Sequence, residues 1–411
     1  MTEPGVLAEL PESGAIWLRD LRRDALDRFS KLGLPGPSEE DWRHTSVAPI
    51  AEGRFRRARL PEAYPEPAFR DWSGSRLVFV NGRYVPGLSS ARPGARVVPM
   101  SQMLQKDGKE LEPWLKETSA TGAFAALNTA LFEDGAYIEI DGSPVEPVHI
   151  VFLSAAQGEP AAAHVRVMIR LSAGSRAVIV EEYLSPGGTS NWTNSVAQIK
   201  LSENASLEHI RVQRDGAESL HVGLTEVRQA RDSRYASRAF SFGGRLVRHD
   251  LDVRLEGEGA ECQLDGLYFL KDSDHVDNHT RVDHAKPHTT SRELYKGVLD
   301  GVSRAVFNGA IVVRPNAQKI SSVQSNKNLL LSSEGLVHTK PEFKIYANDV
   351  QCKHGATIGQ LSSEALFYLR SRGIDETEAR RLLVYAFVGE MVSRVGMAGP
   401  RQALAEELWG G

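Results

Sequence analysis

HVRVMIRL-SAGSR-AVIVEEYL, residues 164–184, sets two runs rich in Val, Ile and Leu around a short stretch of small and polar residues. The same texture extends in both directions. AYIEI (136–140) and VHIVFL (148–153) precede it; VAQIKL (196–201), SLEHIRVQ (206–213) and RLVRHDLDVRL (245–255) follow. RAVFNGAIVV (304–313), NLLLS (328–332), FKIYA (343–347) and DVQCK (349–353) carry it on. From about Phe124 to Gln360 there is almost no helical periodicity, so the economical reading is one extended all-β unit. Many short, punctuated strands suit a sandwich, a barrel or a β-solenoid. No strict period is visible, so a solenoid is permitted and not required.

The flanks read differently. From Ser13, the residues Trp17, Leu18, Leu21, Ala25, Phe29 and Leu32 recur at helical spacing, and Gly33 then Pro35 end the stripe. After a Pro-rich stretch (Leu60 to Pro67), LVFVNGRYV predicts two strands joined at Asn81-Gly82. Ser101 to Glu117 reads as helix interrupted by Gly108 and Pro113. At the other end, Ser362 or Ser363 caps a helix through LFYLRSR that stops at Gly373. Asp375 and Glu378 form a capping box ahead of a stripe of Ala379, Leu382, Leu383, Ala386, Phe387 and Met391. Most of that stripe is expected to pack on the chain's own core.

Composition narrows the function. A chain of 411 residues with a formal net charge of -4 offers no electrostatic argument for nucleic acid or an anionic membrane. The N-terminus lacks a basic region followed by an apolar core, so no signal peptide is expected. No apolar run approaches the length of a membrane span. Two cysteines far apart make no disulfide framework, which fits a reducing cytoplasm.

The familiar catalytic signatures are missing. There is no GxxxxGK[ST], so no nucleotide cradle. Gly257 and Gly259 lead to Cys262 among β-like runs, so the dinucleotide fingerprint fails. HExxH and GxSxG are absent. What stands out is Asp274 to Gln360, with six of the 12 histidines and one of the 2 cysteines. Asp274, His275, Asp277, His279, Asp283, His284 and His288 could in principle surround iron(II), manganese or zinc, although such residues also form hydrogen-bonded ladders in β units. His338 lies further on. Cys352 and His354 are two apart in a strand-like run, which puts a thiol and an imidazole on one face. A closed metal site normally takes four ligands, so the remainder would come from another subunit. The alternative is a small buried thiol beside a satisfied histidine. Cys262 reads as core.

Longer strings carry a resemblance. SEEDWRHTSV (38–47), FAALNTALFEDGAYIEI (124–140), EPVHIVFLS (146–154) and ASLEHIRVQ (205–213) resemble the SufB/SufD family of the SUF iron–sulfur cluster assembly machinery. SFGGRLVRHDLDVRLEGEGAECQLDGLYF (241–269), HVDNHTRVDH (275–284), SRELYKGVLDGVSRAVFNGAIVVRPNAQKI (291–320) and CKHGATIGQLSSEALFYLRSRGI (352–374) are more specific. Lys353-His354-Gly355-Ala356 stands where the SufB branch carries an EHEA-like element, so the likeness is to the SufD branch. Asp274 stands where that branch is expected to have glutamine.

The resemblance implies a mainly β fold, a right-handed parallel β-helix flanked by helical regions. The implied division is 1–100 mostly helical with a hairpin, 101–360 β-helix, and 361–411 a helical ATPase-docking region. It also implies a non-enzymatic scaffold that binds no nucleotide. Such a chain pairs with a SufB-like paralogue through the β-helix and with a SufC-like ATPase through the C-terminal helices; a homodimer is a further arrangement open to the chain alone. A transient iron–sulfur cluster, or iron, would sit at the shared interface, held by His354 with Cys352 nearby. The rival reading is a stand-alone metal-dependent enzyme using the His275–His288 cluster.

Overall fold

A strand that is apolar on both faces must be covered on both. The chain meets that demand by coiling. The computed structural model describes residues 10–11, 14–64, 74–118, 122–155, 158–185 and 190–409. Along the core, each strand pairs in parallel with the strand two places away and not with its immediate neighbour. Among the described residues this gives two ten-stranded sheets, which together form a parallel β-solenoid of about 7 turns.

In one sheet Val165, Ser195, Gly223, His249, Asn278, Phe307 and Thr339 occupy successive rungs. The interval is 26 residues from Gly223 to His249 but 32 from Phe307 to Thr339. Variable turn lengths therefore hide the repeat from a search for a fixed period. Between the sheets, Ile169, Ile199, Val227, Val253, Val282 and Ile311 stack in one apolar column.

The hairpin forms as expected. Ser75–Val80 and Arg83–Tyr84 pair antiparallel, and Asn81 (φ 51°) and Gly82 (φ 74°) both adopt the left-handed conformation that a two-residue hairpin turn requires. Helix Ile16–Leu32 ends at Gly33, whose N–H reaches the Phe29 carbonyl at 2.8 Å; Ser13 and the end of the Pro-rich stretch lie outside the described residues. Gly108, at φ +57°, does break the next helical segment. Pro113 does not: it is the second residue of helix Glu112–Thr118, where the missing N–H costs nothing.

One helix runs against the all-β reading of Phe124 to Gln360. FAALNTAL belongs to helix Ala123–Leu131, whose residues Phe124 to Ala130 are all buried. A helix covered all round needs no solvent-facing polar side; its Asn128 and Thr129 are buried and hydrogen-bonded, so no one-sided stripe marks it. It packs with Phe29, Ile50, Trp192 and Leu220 on the outer side of the first sheet.

The second sheet is covered from the C-terminal side. Ser362 and Asp375 cap helices Ser363–Ser371 and Glu376–Ser393, accepting from Ala365 N at 3.2 Å and Glu378 N at 3.0 Å. The longer helix lays Val384, Val388, Met391 and Val392 on Val180, Ile210, Phe240, Leu267 and Val298. At roughly 1.5–3 kcal/mol for each fully buried side chain, this is a docked element and not a tethered tail. Lys296 fixes its register, donating to Glu390 Oε2 and the Phe387 carbonyl, both at 2.8 Å. A third helix, Ala398–Trp409, adds Leu404 to the same cluster.

Candidate functional site

The solenoid stops on two strands that each have one β neighbour among the described residues. Leu336–Ile345 pairs with Arg304–Val313, and Val350–Gln360 pairs with Ile320–Leu330. No residue of Leu336–Ile345 is buried, and Val350–Gln360 is exposed from Lys353 onward. Unpaired N–H and C=O groups along such edges are a template for another chain.

Cys352 and His354 lie on this open coil. Register sets Cys352 beside Ser322 and His354 beside Gln324, both buried, so thiol and imidazole face the inner side of the last rung. The pairing on one face expected from their spacing is present. Cys352 packs half-buried against the end of the core, and burial raises its thiol pKa above the ordinary value. His354 is exposed, its ring centroid 4.2 Å from that of Phe343 on the facing edge strand. Cys262, in contrast, is buried in the apolar interior, and burial pushes its thiol far up.

The crowded histidine segment does not surround one point. On strand His275–His284, Val276, Asn278, Thr280, Val282 and His284 face inward while His275, Asp277, His279 and Asp283 face outward. His284 is fully buried between Thr289 Oγ1 (2.7 Å) and Ser291 Oγ (3.0 Å). Asp283 receives a two-pronged hydrogen bond from Arg314 at 2.9 and 2.7 Å. Asp274 accepts from Gly244 N and Lys271 N. His288 sits in a turn at φ 58°, 3.8 Å from Glu258. Among the described residues no group of three or more His, Cys, Asp or Glu side chains is placed to hold a metal. The single-ion arrangement considered for this segment is thus corrected: alternation along a strand sends its members to opposite faces.

Asp277 has a different task. Its carboxylate accepts from Thr45 Oγ1 at 2.6 Å and Arg248 Nη1 at 2.8 Å, and Arg248 also donates to the Asp41 carbonyl at 2.6 Å while lying 3.8 Å from the Trp42 ring centroid. Burial works to raise the Asp277 pKa, but Arg248 and His279 outweigh it and hold the group at about 2. The strap EDWRHTSV, residues 40–47, is locked onto the outer face of the first sheet by these contacts. Beside it runs a groove of about 810 Å³ lined by both signs of charge, including Asp250, Asp252, Arg281 and Lys344.

The interior holds polar residues that no motif announced. His209 Nδ1 lies 3.1 Å from Tyr235 Oη, and its Nε2 lies 3.3 Å from Glu181. His221 bridges Asp215 (2.8 Å) and Ser195 (3.1 Å), an arrangement reminiscent of a nucleophilic triad. Arg211 lies 2.9 Å from the same Nε2, and every member is buried, so these groups brace the inside of the solenoid. Glu293 joins them: burial raises its pKa to about 7 against hydrogen bonds from Thr280 and Gln324.

Compared with known proteins, residues 152–387 match the SUF system FeS cluster assembly SufBD core domain, and residues 8–145 match the SufBD protein N-terminal region. The chain belongs to the SufB/SufD family. It is 32% identical over 404 residues to an iron–sulfur cluster assembly SufBD family protein of Synechocystis, covering 92% of this chain and 87% of that one. It is 30% identical over 389 residues to the iron–sulfur cluster assembly protein SufD of Escherichia coli, covering 93% and 90%. A SufBD family protein of Mycobacterium tuberculosis is 31% identical over 297 residues, 70% of this chain and 72% of the relative. Membership gives this chain a role in iron–sulfur cluster assembly. No helix among the described residues is long and apolar enough to cross a membrane.

Proposed function

We propose that this chain is a SufD-type, non-enzymatic scaffold whose open last coil supplies part of a cluster-building site and whose missing ligands come from a SufB-like paralogue. The observation that carries this reading is Cys352 and His354 on one inner face of an edge strand that is paired on one side only among the described residues. An iron–sulfur cluster, here cargo under construction, takes thiolate and imidazole ligands. His354 is exposed and can offer a ring nitrogen. Cys352 is a weaker donor until something displaces its proton, because burial favours the neutral thiol.

The same edge suits the partner. Leu336–Ile345 and Val350–Gln360 can accept the strands of a paralogue by main-chain pairing, which brings the partner's ligands to the rim where Cys352 and His354 stand. The C-terminal helices suit an ATPase. Leu382 and Tyr385 on one helix, with Phe367 and Tyr368 on the other, remain exposed after the buried face has docked. ATP-driven movement delivered there would shift the helices against the sheet on which they rest and alter the shared rim.

The test is His354→Ala in the chain co-expressed with its paralogue and ATPase. Cluster formation is expected to be lost while the complex still assembles; a normal cluster yield from that complex rejects the reading.

A further inference from the structure

The strand that shares the rim with His354 has weak support of its own. Leu336–Ile345 is an edge strand, and alternation sends His338 and Lys340 to its outer side and Phe343 to its inner side. Phe343 carries the ring on which the His354 imidazole rests, with centroids 4.2 Å apart. On the outer side the strand meets the N-terminal strap. Glu40 pairs with the Lys340 ammonium, and the His44 and His338 rings stack at 3.8 Å with only 10° between their planes. Asn308, on the preceding rung, adds a hydrogen bond to Asp41 Oδ1 at 3.4 Å.

The strap can act as a clamp because it is anchored elsewhere. Thr45 on Asp277, and Arg248 on both Trp42 and the Asp41 carbonyl, fix residues 41–45 to rungs nearer the middle of the solenoid. With the strap already ordered, the contacts from Glu40 and His44 to the last strand cost little further entropy. An exposed ion pair between two free side chains would contribute little; one presented from a fixed strap holds a strand in place.

We propose that Glu40 and His44 are positioning residues for His354: by clamping Lys340 and His338 from outside, they fix the Phe343 ring against which the imidazole is held. This rests on His354 serving the cluster site. It ties the N-terminal region, about 300 residues away in sequence, to the open end of the solenoid. The chemistry at the rim is unchanged; what the clamp supplies is the direction in which the imidazole points when a partner arrives.

The experiment uses the full-length chain with labelled histidines, the His354 NMR signal being assigned by its disappearance in His354→Ala. In the unaltered chain the Phe343 ring current is expected to displace that signal from the free-imidazole position. Phe343→Leu is expected to abolish the displacement, and the double variant E40K/H44A to diminish it. Glu40→Lys alone is expected to diminish it in part, and reversing the ion pair, E40K/K340E, to recover the original signal. Hydrogen exchange over residues 336–345 should accelerate roughly two- to fivefold in E40K/H44A, the scale of an exposed ion pair. A His354 signal unmoved in E40K/H44A, or no recovery on reversal, overturns the proposal. If His354→Ala instead leaves cluster formation intact, the functional reading fails while the clamp is still judged by the NMR signal.

Discussion

Buried histidines set how this protein responds to acid. His149 is buried beside Glu182, yet burial, with Arg76 and Arg214 near, depresses its pKa to about 3; burial depresses His284 to about 4. Between pH 6.5 and those values the unfolded chain takes up protons that the fold refuses, so stability falls as pH falls through that window. Displacements of this size are worth on the order of 3–5 kcal/mol per residue. Glu293 works the other way. Its raised pKa, about 7, means that the fold keeps a proton which the unfolded chain releases above about 4.5, so its contribution is lost as pH rises towards 7. Burial also depresses His164, to about 3, and lowers His221 and His249, so the histidines outweigh Glu293 and net destabilisation by acid is expected. Glu293→Gln separates the terms: urea unfolding should show a gain of about 2–3 kcal/mol at pH 8 and little change at pH 5. An equal effect at both pH values would contradict the assignment. Little of this was legible in the sequence. His209, Arg211 and Gln213 alternate with Ile210 and Val212, and either set could have faced inward. The polar set does, because the C-terminal helices cover the apolar one.

At the scale of elements, local chemistry read well wherever one residue dictates a backbone state. Asn81-Gly82, the Ser362 and Asp375 caps and the stop at Gly373 all follow from such rules. The readings that failed needed tertiary knowledge: helix Ala123–Leu131 is buried all round, and Pro113 opens a helix instead of interrupting one. The stripe on Glu376–Ser393 divides in a way that spacing alone did not fix. Val384 and Val388 are buried, Leu383 is half-buried, and Leu382 and Ala386 face outward. The two faces should therefore respond differently. Leu382→Asp is expected to release the ATPase from the co-purified complex without lowering the melting temperature of the isolated chain. Val388→Asp, which places a carboxylate in an apolar interface, should cost several kcal/mol and unfold or detach the helix itself. Retention of the ATPase by the Leu382 variant would remove that face from the docking surface.

For the whole molecule, the pattern of short apolar runs gave the β class, while coils of 26 to 32 residues concealed the repeat. The histidines of residues 275–288 drew notice by number, yet the strand alternation that brings Cys352 and His354 together on one face scatters those histidines over two. On the function proposed above, the edge strands at the C-terminal end of the solenoid would offer half of an interface, and Cys352 and His354 part of a ligand set. The most direct measurement is the iron and sulfide content of the full-length chain, purified anaerobically alone and again with its SufB-type paralogue. No tightly held stoichiometric metal is expected on the chain alone, and a cluster is expected to appear with the paralogue. About one firmly bound metal per isolated chain, unaffected by the partner, would contradict it.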